Sequence, residues 1–260
     1  MKVTVCQLRN DPDGLAADWQ ALVSYVRAAR SALVLLPEMP FFPWPFRRQT
    51  FDPAVWQASV TAHDHWQARL SELAPAVVAA SRPIDDHGGR YNEGFLWANG
   101  DYRAIHRKLY LPDEDGFWEA SWYDRGEYRR DDALFRPATA GSAHVGFLIC
   151  TELWFMYHAR AYGQAGVHLL LTPRATERRT VDKWLIGGRA AAVIAGAYSL
   201  SSNRVDEGEQ PAELGGQGWV VAPDGDVLAI TTAEQPFVTV DVDLDRADRA
   251  KKTYPRYVRE

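Results

Sequence analysis

"KVTVCQL" (residues 2–8), "LAADWQALVSYVRAAR" (15–30) and "ALVLLPE" (32–38) decide the fold through their order. The first alternates polar and apolar residues as a half-buried strand does. The second repeats apolar residues at Leu15, Trp19, Leu22 and Val26, the spacing of one helix face, and the third is a continuous apolar strand. A strand, a helix and a strand in succession predict parallel pairing with a right-handed crossover. Pro40, Pro43 and Pro45 then make "FFPWPF" (41–46) a loop leaving the end of the second strand.

The same alternation continues outward. A helix is predicted over roughly 53–73 and a strand over "AVVAAS" (76–81). "YNEGFLWANGDYRAIHRKLYLP" (91–112) reads as two strands joined by Asn99-Gly100, a strong hairpin signal, so the sheet turns antiparallel there. A loop from 110 to 130 leads to the buried strand "SAHVGFLIC" (142–150). Helix 152–166, strand 167–173, helix 181–195 and strand 197–203 form a second alternating block. A hairpin turned at Asp224-Gly225 and a last strand over 236–244 follow. No linker divides the chain, so residues 1–260 are read as one mixed-sheet α/β domain with two similar halves.

Composition narrows the function. The chain is 47% hydrophobic and 24% charged, an ordinary globular balance, and its net charge of −5 with scattered Arg pairs argues against nucleic acid or an anionic membrane as partner. The N-terminus lacks the apolar core of a secretory signal, and no stretch is long and apolar enough to span a membrane. Cys6 and Cys150 alone exclude a disulfide scaffold, fit a cytoplasmic location, and with dispersed histidines predict no metal site.

Three strand ends carry reactive groups: "LVLLPE" delivers Glu38, "IHRKLYLP" delivers Lys108 and "GFLIC" delivers Cys150. Taken singly, a cysteine is most often a small core residue, a glutamate a loop charge and a lysine a solvated strand edge. Together they are a nucleophile with the base and the cation it needs, because a thiol with a pKa of ~8.5 is mostly protonated at neutral pH.

With "LLPEMPF" around Glu38, "HRKLYLP" around Lys108 and "GFLICTELWF" around Cys150, the sequence resembles the nitrilase, or carbon–nitrogen hydrolase, superfamily, which uses a Glu-Lys-Cys triad. "FWEASWYDRGE" (117–127) resembles the family's segment with a second glutamate, here Glu119. "LLLTPRAT", "AYSLSSNR" and "GQGWVVAPDGDVLA" resemble its closing strands, so nearly the whole chain is covered. The resemblance implies a four-layer α-β-β-α sandwich, hydrolysis of a small amide or N-carbamoyl substrate without a cofactor, and a homodimer or higher homo-oligomer. "TYPRYVRE" (253–260) is a candidate contact arm.

In this reading Glu38 takes the thiol proton, Cys150 attacks the carbonyl carbon, and Lys108 with the backbone N–H of Thr151 stabilises the oxyanion. Glu119 either orients Lys108 or binds the substrate nitrogen. Glu152 is read as an electrostatic cap of the following helix, with substrate contact as the alternative. Aromatic residues near the three strand ends, Trp118 and Trp154 among them, either line the substrate pocket or belong to the core. Arg174, expected on the same rim as Cys150, is the candidate partner of a substrate carboxylate or else a surface arginine. A nitrilase and a silent binding protein on the same fold are the alternative readings.

Overall fold

A computed structural model describes residues 1–114, 116–126, 135–208, 210 and 212–258. The first half comprises β1 (Lys2–Arg9), α1 (Pro12–Ala29), β2 (Leu33–Leu35), α2 (Pro53–Gln67), β3 (Val77–Asp86), β4 (Gly89–Ala98) and β5 (Asp101–Arg107). A short α3 (Glu119–Trp122) follows. The second half repeats the plan with β6 (Ala138–Ala140), β7 (Ala143–Phe147), α4 (Met156–Gln164), β8 (Leu169–Arg174), α5 (Val181–Ala195), β9 (Tyr198–Val205), β10 (Trp219–Val221) and β11 (Val227–Ile230). β12 (Phe237–Asp241) and α6 (Leu244–Ala250) complete the elements.

Local chemistry starts and stops these elements where the sequence changes. Asp11 accepts from the Gly14 N–H ahead of Pro12, and Arg30 closes α1 in the left-handed conformation. The short α1 exit then feeds β2 into parallel register with β1, Val3 opposite Leu33, and β3 joins with Val77 opposite Leu33. β4 and β5 add antiparallel strands. In the second half β7, β8 and β9 are parallel, Val145 opposite Leu169 and Leu169 opposite Tyr198, and β10 and β11 add antiparallel strands. β1 and β9 meet at Gln7 and Asn203 and join the halves.

Strand alternation sorts the side chains into layers. Val3, Val5, Leu33, Leu35 and Ala79 of the first half pack against Val145, Phe147, Leu169, Leu171 and Leu200 of the second, a core between two sheets. The opposite faces carry Val34, Leu36, Val78 and Ala80 against α1, and Leu170 and Val221 against α4 and α5. The result is the four-layer α-β-β-α sandwich that the resemblance implied. Gly146 on β7 is required by close approach, since a Cβ there would lie 2.7 Å from the Tyr162 ring.

Several boundaries differ from expectation. The helix predicted over 152–166 is broken: a 3-10 turn runs Cys150–Trp154 and α4 begins at Met156, because Cys150 is left-handed (φ 48°) and Phe155 leaves helical geometry. The strand read as 76–81 extends to Asp86 and turns back through His87 and Gly88, both at positive φ, into β4. The last strand stops at Asp241, and Asp243 caps α6. The arm at 253–260 folds onto its own chain where described, with Arg160 donating to the carbonyls of Arg256 (2.9 Å) and Val258 (2.8 Å). Arg259 and Glu260, like Asp115 and residues 127–130 of the expected loop, lie outside the described residues. Among the described residues no helix is long and apolar enough to cross a membrane.

Candidate active site

Parallel strands that end at one edge bring their next residues together. Glu38 lies three positions beyond β2, where its N–H donates to the Arg174 carbonyl at the end of β8 (3.2 Å). Lys108 follows β5 directly, and its N–H donates to the Asn92 carbonyl on β4 (2.9 Å). Glu119 opens α3, and Cys150 opens the 3-10 turn after β7. The left-handed backbone at Cys150, and at Met39 beside Glu38, costs roughly 1–2 kcal/mol per residue, which only well-packed surroundings sustain.

Side chains from these ends converge. Glu38, Lys108 and Glu119 are fully buried. The Lys108 ammonium donates to Glu38 Oε1 (2.8 Å) and to Glu119 Oε2 (2.5 Å). Asn92 Nδ2 donates to the same Glu38 Oε1 (2.7 Å), and the Tyr123 hydroxyl donates to Glu119 Oε2. Each carboxylate is thereby anchored through one oxygen. Among the described residues Glu38 Oε2 and Glu119 Oε1 are buried without a partner, acceptors left open in a site where burial makes an unmet acceptor expensive.

Protonation follows from this arrangement. Burial alone would strip Lys108, but Glu119 and Glu38 outweigh it and hold the ammonium well above its ordinary pKa. Burial pushes the Glu119 carboxyl up to about 7, against the pull of Lys108. Burial and the Glu38 charge raise the Cys150 thiol well above its ordinary value, with Lys108 and the Ala175 N–H only partly offsetting them. This thiol is not a ready-made thiolate and needs a base to react. Cys6, by contrast, donates to the Leu35 carbonyl (3.4 Å) inside β1, and burial lifts its pKa to about 12.

A cavity of about 210 Å³ opens over the cluster, lined among others by Cys150, Thr151, Glu119, Phe117, Trp154 and Lys183. That volume suits a small molecule. Trp154 is 43% exposed and packs against Trp184 with ring centroids 5.0 Å apart.

Two residues expected at the pocket are placed elsewhere. Trp118 packs with the aromatic cluster of Trp44, Phe46 and Trp122, and Phe117 lines the cavity in its stead. Arg174 is fully buried and turns inward: its nitrogens donate to Ser201 Oγ (2.7 Å), Thr176 Oγ1 (2.8 Å) and the Gln217 carbonyl (2.7 Å). Its guanidinium stacks 4.0 Å over the Trp219 ring, and burial lowers its pKa to about 9. Arg174 shares strand parity with Leu170, whose side chain faces the α4–α5 layer, so the strand pattern itself directs it away from the cavity.

Glu152 does more than cap. It is fully buried and accepts from the Ile149 N–H (2.8 Å), as a cap would, but also from the Leu109 N–H (2.7 Å) and His106 Nε2 (2.8 Å). Sequence reasoning missed Asn92, Tyr123 and His106. Asn92 and His106 sit inside strands and Tyr123 in a loop, and nothing local separates them from ordinary polar positions.

The carbon-nitrogen hydrolase family description matches residues 2–252. An omega-amidase NIT2 from Bos taurus is 28% identical over 193 residues, covering 72% of this chain and 70% of its own. An N-carbamoylputrescine amidase from Arabidopsis thaliana is 25% identical over 205 residues, covering 70% of this chain and 66% of its own. The fold matches a carbon-nitrogen hydrolase from Helicobacter pylori G27 with a TM-score of 0.83 at 20% identity, over 98% of this chain and 94% of that one. It also matches a mutant of the amidase from Nesterenkonia sp. AN1 that carries a Michael adduct of acrylamide on its active-site cysteine (TM-score 0.72, 21% identity, 95% of each chain).

Proposed function

Because the chain belongs to the carbon–nitrogen hydrolase family and hydrolyses C–N bonds other than peptide bonds, we propose that it cleaves a small amide or N-carbamoyl compound through a Cys150 thioester and releases ammonia. One observation carries this reading: the buried Lys108 ammonium bridges Glu38 and Glu119 beneath a cavity that Cys150 lines.

Glu38 Oε2, the oxygen without a partner among the described residues, takes the thiol proton as sulfur attacks the carbonyl carbon. Negative charge grows on the carbonyl oxygen, where the Lys108 ammonium and the Thr151 N–H stabilise it. Glu119 Oε1 accepts an N–H of the substrate amide, which orients the leaving nitrogen while Oε2 holds Lys108. Glu38 returns its proton to that nitrogen, the C–N bond breaks, and the nitrogen departs from the thioester, as ammonia from a primary amide or as the amine from an N-carbamoyl compound. In the second case the carbamoyl thioester is then hydrolysed to carbamate, which decomposes to carbon dioxide and ammonia. Water then gives a proton to Glu38 and attacks the same carbon, and the thiolate leaves and is reprotonated. A substrate carboxylate, if present, meets Lys183 at the cavity wall rather than Arg174.

A homodimer and a cytoplasmic location belong to the same proposal. Exposed Trp154, Tyr157 and Ile186 supply an apolar face for a second copy, and sedimentation velocity tests it, a monomer at micromolar concentration refuting it. Two free thiols suit a reducing compartment, which cell fractionation checks.

The deciding assay is ammonia release from a panel of small amides, N-carbamoyl compounds and nitriles. Turnover of amides or carbamoyl compounds is expected. Turnover of nitriles alone, or of none of the panel, contradicts the proposal.

A further inference from the structure

Lys108 and Cys150 come from different halves of the molecule, and their relative position depends on what joins β5 to the turn after β7. Glu152 is that joint. Its Oε1 accepts from the N–H of Leu109, the residue after Lys108 (2.7 Å), and its Oε2 from the N–H of Ile149, the residue before Cys150 (2.8 Å). Both oxygens also lie within hydrogen-bond distance of His106 Nε2, at 2.9 and 2.8 Å, and His106 is in β5, two residues ahead of Lys108. Each reacting residue thus has a sequence neighbour whose N–H is held by the same buried carboxylate.

Charge balance does not explain this placement, since Lys108 is already met by Glu38 and Glu119. Helix capping does not explain it either, because a cap needs the Ile149 contact and not the Leu109 one across 43 residues. The left-handed Cys150 lies inside the span that the carboxylate closes, and such a backbone persists where its surroundings fix it.

We propose that Glu152 is a positioning residue for the reaction, a buried carboxylate that ties the Lys108 strand end to the Cys150 turn and sets the separation of cation and sulfur. The inference rests on the function proposed above. Loss of a single tie between two reacting groups acts on geometry, so turnover falls while the substrate pocket, which Glu152 does not line, keeps its affinity.

Glu152→Gln keeps the size but presents an NH2 group to one of the two N–H donors. With an amide that the wild type hydrolyses, kcat should fall roughly 30 to 100-fold with KM within about threefold, the scale expected for sub-ångström misplacement. Turnover is referred to the folded fraction, measured by the circular dichroism melt of the same sample, so partly unfolded protein does not count. A wild-type kcat per folded molecule overturns the inference, as does a rise in KM alone. Should Glu152→Gln not fold, Glu152→Asp carries the test. Its carboxylate is one methylene short of both donors, so a lowered kcat supports the tie and a wild-type kcat overturns it. A wild type that hydrolyses nothing fails the function proposal instead, and the two failures are distinct.

Discussion

Replacing Lys108 with methionine removes the ammonium that stands between Glu38 Oε1 and Glu119 Oε2 and leaves two buried carboxyls facing each other. Breaking a buried ion pair by deleting one partner costs about 3–5 kcal/mol, since the remaining charge has nothing to offset its lost hydration. In a chain of this size each kcal/mol moves Tm by about 2–4 °C, so Lys108→Met should melt roughly 6–20 °C lower near pH 8. The sign of the pH dependence follows from linkage. Without the cation the Glu119 carboxyl, already raised by burial, loses the pull of Lys108 and rises further above its unfolded value of about 4, so the folded variant binds more protons than the unfolded chain and loses stability as pH rises. In the wild type Lys108 is raised above its unfolded value, so its contribution is fully present throughout this range, and Glu119, held at about 7, loses less stability with rising pH than in the variant, where nothing opposes its burial. The gap between the two proteins should therefore be smaller near pH 5 than near pH 8. Turnover should drop at least ~100-fold at either pH, the scale of losing an oxyanion donor. Circular dichroism melts at both pH values and an ammonia assay check this. A gap that is independent of pH, or wider near pH 5, refutes the bridging role.

Asn92→Leu removes a hydrogen bond to a charged acceptor and should lower kcat about 10 to 100-fold with KM little changed; an unaltered kcat would show that Glu38 needs no second donor. In the proposed mechanism Glu119 acts as a carboxylate, so wild-type kcat/KM should rise with pH through about 7, and Glu119→Gln should lose that limb as well as most of its rate; a persisting limb would assign it elsewhere. Arg174→Met leaves buried acceptors unpaired and should destabilise the fold by about 2–4 kcal/mol while acidic and neutral substrates slow equally. A selective loss on acidic substrates, measured on matched pairs, would restore Arg174 as their partner.

The positions of Glu38, Lys108 and Cys150 were legible because strand runs end visibly, in Pro-rich or helix-forming sequence, and in this fold strand ends meet. The layers were legible for the same reason: alternation along β2 and β8 sorts Leu33 and Leu35 from Val34, and Leu169 and Leu171 from Leu170. What the sequence hid was long-range and directional. The contact of His106 with Glu152 spans 46 residues, and no local pattern distinguishes a carboxylate that caps its own turn from one that also reaches another strand. The break after Trp154 was invisible because helix propensity does not register a left-handed Cys150. Arg174 was an error of direction on a correctly placed strand, and the parity of Leu170, Thr172 and Arg174 already contained the answer.

The central claim is that Cys150 carries the acyl group. Intact and peptide mass spectrometry of the enzyme, acid-quenched during turnover of an amide it hydrolyses, tests it most directly. The account predicts a mass increase equal to the acyl group on Cys150, none on Cys6, and no turnover in Cys150→Ala. Turnover by Cys150→Ala, or an adduct found on another residue, would contradict it.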